Sequence, residues 1–230
     1  MRRAHALSLA LAATLALAAC PSATAPPVEP PPARPDADLG IDVPDSGFWE
    51  RTGPGAWTYD LGTFLTSDLQ LTARPPGQGF LRVALPPGAG RAVLTSLSVV
   101  YARNAAAMSD DGQDPTAGGE ATWTFYADAA GAPGRELGHI DVTVDATQAI
   151  PLEDGGDPVV HALPGLEVPA VFWAVFSVRS GDPRVAAMRV NTPEGVQFTD
   201  LYYRAQPDAP LGAPVNARPY LRFVFEQLSR

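Results

Sequence analysis

The later part of the chain is a series of short segments in which apolar and polar residues alternate. The clearest cover residues 81–85, 93–101, 121–126, 140–144, 171–178 and 220–226; weaker ones cover 69–73, 159–163, 185–190 and 200–204. Alternation with a period of two predicts β-strands with one buried face. Residues 171–178 are apolar at almost every position, which predicts a central strand covered on both faces.

Turn-forming clusters such as Pro86-Pro87-Gly88 and Gly181-Asp182-Pro183 separate these segments. No window longer than ten residues keeps a helical period without Gly or Pro, although residues 102–108 could form one helical turn. Many short strands with such punctuation predict an all-β domain over residues 47–230. We expect a jelly-roll-like sandwich of two antiparallel sheets with about ten strands.

The start of the chain has a different pattern. Residues 4–19 are almost all Ala and Leu behind Arg2 and Arg3, a run too short to span a membrane but typical of a secretory signal. It ends in Leu17-Ala18-Ala19-Cys20, which resembles the bacterial lipobox. That resemblance implies a signal peptide at 1–19 and a lipidated Cys20; the alternative is an ordinary secretory signal with a coincidental cysteine. Because Cys20 is the only cysteine, no disulfide is expected.

Residues 20–46 predict a linker. Residues 21–46 contain eight prolines, a composition that favours extended polyproline II and cannot form a core. The linker would hold the sandwich away from the membrane. The lipobox resemblance also implies a bacterial envelope location, with the outer membrane favoured because Pro21, and not aspartate, follows Cys20. The formal charge of −9 argues against nucleic acid as a partner.

One segment inside the domain resembles a known hairpin. Residues 125–137, Phe-Tyr-Ala-Asp-Ala-Ala-Gly-Ala-Pro-Gly-Arg-Glu-Leu, are similar to the Ile-Tyr-x-Asp-x-x-Gly-x-Pro-Gly-x-x-Leu hairpin of exported choice-of-anchor domains. The resemblance implies an exported β-sandwich and no active site. Gly131 suits a left-handed turn position, and Pro133-Gly134 predicts a type II turn.

Catalytic motifs are missing from the sequence. There is no Gly-x-Ser-x-Gly, and the histidines after the signal, His139 and His161, lie in no metal or hydrolase motif. We therefore expect structural or surface histidines and a protein that is not an enzyme.

Acidic residues in one loop offer a possible calcium site. Asp110, Asp111, Asp114 and Glu120 would supply the oxygen ligands that calcium prefers. The alternative is a solvated acidic loop, and without calcium no cofactor is expected.

Four aromatic residues are candidates for stacking on sugar rings: Trp49, Trp57, Tyr202 and Tyr203. The alternative for each is core packing. The leading hypothesis is a lipid-anchored envelope protein whose β-sandwich serves binding or structural interaction with a polysaccharide or an envelope protein. The alternatives are a carbohydrate-binding module, with or without calcium, and an exported hydrolase.

Overall fold

The alternating segments form strands in the structure, a computed structural model. It describes residues 48–61, 69–71, 77–102, 118–149, 158–189, 200–206, 208–215 and 217–229. These residues belong to the compact unit Asp36–Arg230. Cys20, the linker and the acidic residues Asp110, Asp111 and Asp114 lie outside the described residues.

The described part of the chain is all β and forms fourteen strands. Their bounds are β1 Trp49–Gly53, β2 Ala56–Asp60, β3 Leu69–Leu71, β4 Gln78–Ala84, β5 Arg91–Val99, β6 Tyr101–Ala102, β7 Gly119–Asp128, β8 Pro133–Val144, β9 Val159–Pro169, β10 Val171–Gly181, β11 Arg184–Arg189, β12 Asp200–Arg204, β13 Ala217–Pro219 and β14 Leu221–Ser229. None of these residues belong to a helix long and apolar enough to cross a membrane.

Ten strands form two large antiparallel sheets. The first sheet has the order β1-β2-β14-β5-β9, and the second has the order β12-β4-β10-β7-β8. Without the edge strands β1 and β12, each sheet has four strands. When these eight strands are renumbered from one to eight in chain order, the first sheet has the order 1-8-3-6 and the second has the order 2-7-4-5. This order is that of a jelly roll, with β1 and β12 added at the sheet edges. The predicted fold class is confirmed.

The main core lies between the two sheets. Phe172 of the second sheet meets Phe223 and Phe225 of the first sheet, with ring centroids 6.2 and 6.1 Å apart. Leu97 and Phe125 are also fully buried in this core. Because side chains alternate along a strand, these buried residues show which side of each sheet faces the core. The residues between them in sequence lie on the outer side.

Four short strands were not part of the expected two-sheet arrangement. β11 pairs with β13, β3 and β6 in a small separate sheet. Val100, Ala102, Ala186 and Tyr220 form its own buried apolar cluster. Ala102 therefore lies in β6, and the helical turn that the sequence predicts does not begin there.

Candidate binding face

The outer side of the second sheet carries an unusual set of side chains, which we call the outer face. Strand pairing places its residues in three rows: Arg82-Trp173-Tyr126-Glu136, Tyr202-Phe80-Val175-Thr124-His139 and Arg204-Gln78-Ser177-Thr122-Asp141. One half, which we call the aromatic half, consists of the aromatic and apolar side chains Phe80, Tyr126, Trp173, Val175 and Tyr202. The other half, the polar half, consists of Thr122, Thr124, Glu136, His139, Asp141 and, from the end of β10, Arg179.

The aromatic half forms a second hydrophobic cluster outside the main core. Phe80, Trp173 and Val175 are only 2%, 0% and 1% exposed. Tyr126 and Tyr202 pack against them and are partly buried, as is Leu211 from the segment after β12. The rings of Trp173 and Tyr202 lie 5.4 Å apart between centroids. Strand β10 is therefore covered on both faces, as its unbroken apolar sequence predicts.

Asp128 fixes one end of this cluster. Its Oδ1 accepts hydrogen bonds from Arg82 Nε and from Trp173 Nε1, each at 2.9 Å. Its Oδ2 accepts a hydrogen bond from the backbone N–H of Gly131 at 3.1 Å. The hydrogen bond from Arg82 is the main reason why the pKa of Asp128 lies below its usual range, with burial acting against it. The orientations of the Arg82 and Trp173 side chains are fixed by the same carboxylate.

The β7–β8 hairpin brings Asp128 and Tyr126 into place. Ala129 and Ala132 exchange backbone hydrogen bonds, and Ala130 and Gly131 between them have φ values of 55° and 87°. Two central residues with positive φ make a type I′ turn, which matches the twist of a hairpin. The left-handed conformation predicted for Gly131 is confirmed.

The type II turn predicted at Pro133-Gly134 is wrong, because both residues already belong to β8. Gly134 has a different role there. A Cβ atom on Gly134 would lie 2.8 Å from Ala129 Cβ, so only glycine fits where the two strands meet.

The polar half of the outer face is held by contacts among its own side chains. Thr122 donates a hydrogen bond to Asp141 at 2.8 Å, and Arg179 lies 3.2 Å from the same carboxylate. Glu136 and His139 are 2.7 Å apart. The side chains of Asp141 and Arg179 are 52% and 49% exposed, so both remain accessible to a ligand.

The four predicted stacking residues do not form one platform. Trp49 packs at 4.9 Å from Tyr59 and 5.3 Å from Phe225, and Trp57 is buried in the main core. Both tryptophans therefore pack in the core, which was the alternative to stacking on sugar rings. Tyr202 lies on the outer face, whereas Tyr203 points to the other side of β12 and is 39% exposed.

Of the predicted calcium ligands, only Glu120 is described. Its carboxylate lies 4.0 Å from Arg179, and its backbone N–H donates to Ser180 Oγ at 3.3 Å. Within the described residues, no group of three or more His, Cys, Asp or Glu side chains is arranged to hold a metal. Calcium binding by the loop stays a prediction.

The two histidines have separate partners. His139 is exposed beside Glu136, whereas His161 on β9 faces the core and meets the Tyr101 hydroxyl at 2.9 Å. Burial lowers the pKa of His161 and raises that of Tyr101. The Trp123 indole N–H lowers the pKa of Tyr101 and so partly offsets the rise caused by burial. The two groups do not form a hydrogen bond of ordinary geometry.

Sequence reasoning missed most of the outer-face residues. It singled out Tyr202, but not Tyr126, Trp173, Asp141 or Arg179. The available signal was the combination of a strand apolar on both sides with a neighbouring strand that alternates Thr with aromatic residues. The pairing of β10 between β4 and β7 was needed to join these signals.

Comparisons with known proteins add little. No family model and no curated protein matches the chain. Among solved structures, the chain is similar to the clostridial cysteine protease Cwp84 after propeptide cleavage, at 8% sequence identity and a TM-score of 0.42. The match covers 77% of this chain and 41% of the protease chain, so the chain spans less than half the length of that protein.

Proposed function

We propose that this protein is a lipid-anchored bacterial envelope protein whose jelly roll is a non-catalytic binding module. Cys20 carries the lipid, residues 20–46 form the stalk, and the outer face of the second sheet is the binding surface. The observation that carries the binding proposal is the asymmetry of the sandwich. Aromatic side chains such as Tyr126 and Tyr202 lie outside the main core on the second sheet, whereas those of the first sheet all face the core.

The anchor is supported by the agreement of residues 17–20 with the lipobox and by the position of this cysteine at the end of the signal. Two or more acyl chains give stable membrane attachment, whereas one holds a protein only marginally. We expect Cys20→Ser to abolish palmitate labelling and to release the protein from the membrane fraction. Ser22→Ala is the matched control and should leave both unchanged. Labelling that persists in Cys20→Ser would overturn the anchor.

The location is tested by separating the two membranes of the expressing cell. Palmitate-labelled protein should sediment with the outer membrane, in line with Pro21 after the lipid cysteine. Recovery in the inner membrane would overturn this location without affecting the anchor itself.

A non-catalytic role is supported by the partners of the two described histidines. His139 contacts a carboxylate and His161 a phenol, and neither hydrogen bond involves a serine or threonine that it could activate. We expect the purified protein to release no reducing sugars from polysaccharides and no product from ester or peptide substrates. Turnover that disappears in His139→Gln or His161→Gln would overturn this part of the proposal.

A further inference from the structure

We propose that the outer face binds a neutral, hydroxyl-rich polysaccharide, with Tyr126 as the platform for a sugar ring and the Asp141–Arg179 pair as the polar contact. The inference rests on the proposed binding function and names its ligand class. Four features of the described residues support it: a rigid aromatic ring, a neighbouring set of hydrogen-bonding groups, the length of the surface and a balance of charge.

Tyr126 has the properties of a ring platform. It is partly exposed and packs against the cluster of Phe80, Trp173 and Val175, which are almost fully buried. Trp173, its direct neighbour across the strand pair, is itself fixed by Asp128. A ring supported in this way loses little conformational freedom when a ligand stacks on it, which favours affinity.

The polar half of the outer face supplies both donors and acceptors. Asp141 accepts and Arg179 donates, and Thr122 can do both. A sugar carries hydroxyl groups that each donate and accept, and adjacent hydroxyls can engage a carboxylate and a guanidinium together. Because Thr122 and Arg179 both contact Asp141, the positions of the three side chains are set before a ligand arrives.

The surface is long enough for a polymer. Thr122, Thr124 and Tyr126 lie on one side of β7 at alternate positions. At about 3.4 Å per residue, they span roughly 13 Å along the strand. This distance exceeds one sugar ring, so successive rings of a chain would contact Tyr126 at one end and Thr122 with Asp141 at the other.

Charge favours a neutral ligand over an acidic one. Two opposite pairs lie on the face, Arg82 with Asp128 and Arg179 with Asp141, and Arg204 adds one positive charge over the Phe80 ring. Glu120 and Glu136 add negative charge at the margin, and the whole chain carries −9. An acidic polymer would meet net repulsion, whereas a neutral one would not.

The test uses the full-length protein carrying Cys20→Ser, so that it can be purified without lipid. Binding is measured by affinity electrophoresis and calorimetry with cellulose, xylan, mannan and starch, and with pectate as the acidic comparison. The test variants are Tyr126→Ala, Tyr126→Phe and Asp141→Asn. The thermal unfolding of each variant is measured first, so that a loss of binding is interpreted only for variants that fold.

The chain offers matched controls for two of these changes. Tyr203→Ala removes a tyrosine from the opposite side of β12. Glu167→Gln neutralises a carboxylate that lies 3.2 Å from Arg91 on the first sheet, a pair with the same separation as Asp141 and Arg179. Neither residue lies on the outer face.

We expect at least one neutral polysaccharide to bind and pectate to bind at least tenfold more weakly. Tyr126→Ala should weaken binding at least tenfold and Asp141→Asn about threefold or more, while Tyr126→Phe and both controls stay within twofold of the parent. The proposal is overturned if no neutral polysaccharide binds, if pectate binds best, or if the controls lose as much affinity as Tyr126→Ala. Palmitate labelling is read separately, so a labelled protein that binds no polysaccharide overturns the ligand and leaves the anchor standing.

Discussion

In both sheets of the sandwich, side chains alternate between core and outer positions, but the outer sides of the two sheets carry different residues. On the first sheet the outer positions hold small, β-branched or charged residues, in rows such as Asp60-Arg222-Ser98-Val160 and Thr58-Val224-Ser96-Ala162. The aromatic residues of its strands, from Trp49 to Phe225, all lie on the core side. On the second sheet, the outer positions include Phe80, Trp173, Tyr126 and Tyr202.

This difference separates what the fold requires from what it does not. A sheet in a sandwich needs one buried face, and the first sheet meets that need without aromatic residues on its outer side. The second sheet buries large apolar side chains on both faces, whereas the described residues buried on the outer side of the first sheet are the small polar Thr58 and Ser98. Since the jelly roll itself does not demand this arrangement, the outer aromatic cluster marks the side of the molecule under an additional requirement, which we assign to binding.

The largest loss of stability is expected when the centre of the outer cluster is removed. Trp173 is fully buried, so Trp173→Ala should reduce the free energy of unfolding by about 3–5 kcal/mol. Val224→Ala, at a half-buried outer position of the first sheet, should cost about 1 kcal/mol or less. Urea unfolding of both variants measures the difference. Equal losses would mean that the two outer sides contribute alike to stability.

A second prediction compares one ion pair on each side. Asp128→Asn weakens the interaction with Arg82 and should cost about 1–3 kcal/mol, because the carboxylate is 16% exposed and accepts three hydrogen bonds. Asp60→Asn weakens the interaction with Arg222 on the first sheet, a more exposed pair, and should cost about 1 kcal/mol or less.

The cost of Asp128→Asn should depend on pH. Because the folded pKa of Asp128 is lowered, its contribution is complete above the unfolded pKa of about 3.9 and is lost as the pH falls through the folded value. The wild type and Asp128→Asn should therefore converge in stability below about pH 4. A gap that stays constant down to low pH would show that the charge of Asp128 is not what stabilises the cluster.

The sequence predicts the outline of this molecule better than it predicts the candidate site. Periodicity alone locates residues 200–204, which match β12, and identifies β10 as central. It misses the β1–β2 hairpin, although Gly53-Pro54-Gly55 followed by alternating Trp57 and Tyr59 was an available signal. The site depends on pairings between distant segments, such as Trp173 with Tyr126 and Arg82. No local pattern encodes which strands become neighbours.

A third prediction concerns a histidine on the core side of the first sheet. His161 faces the core, and burial lowers its pKa, so the unfolded chain takes up a proton more readily than the folded protein. Stability should therefore be complete above about pH 6.5 and decline as the pH falls below it. His161→Gln should lack this decline. Chemical unfolding between about pH 5 and pH 8 measures it, and an unchanged slope in the variant would exclude His161 as the source.

The smallest effect is expected at Val160, which is 63% exposed on the outer side of the first sheet. Val160→Thr keeps the β-branched shape and replaces a methyl group with a hydroxyl, so the free energy of unfolding should change by less than about 0.5 kcal/mol. Polysaccharide binding should also be unchanged, because the substitution lies on the opposite sheet from Tyr126. If Val160→Thr weakened binding while the protein stayed folded, the first sheet would have to contact the ligand. The asymmetry of the two outer sides would then no longer identify the binding surface.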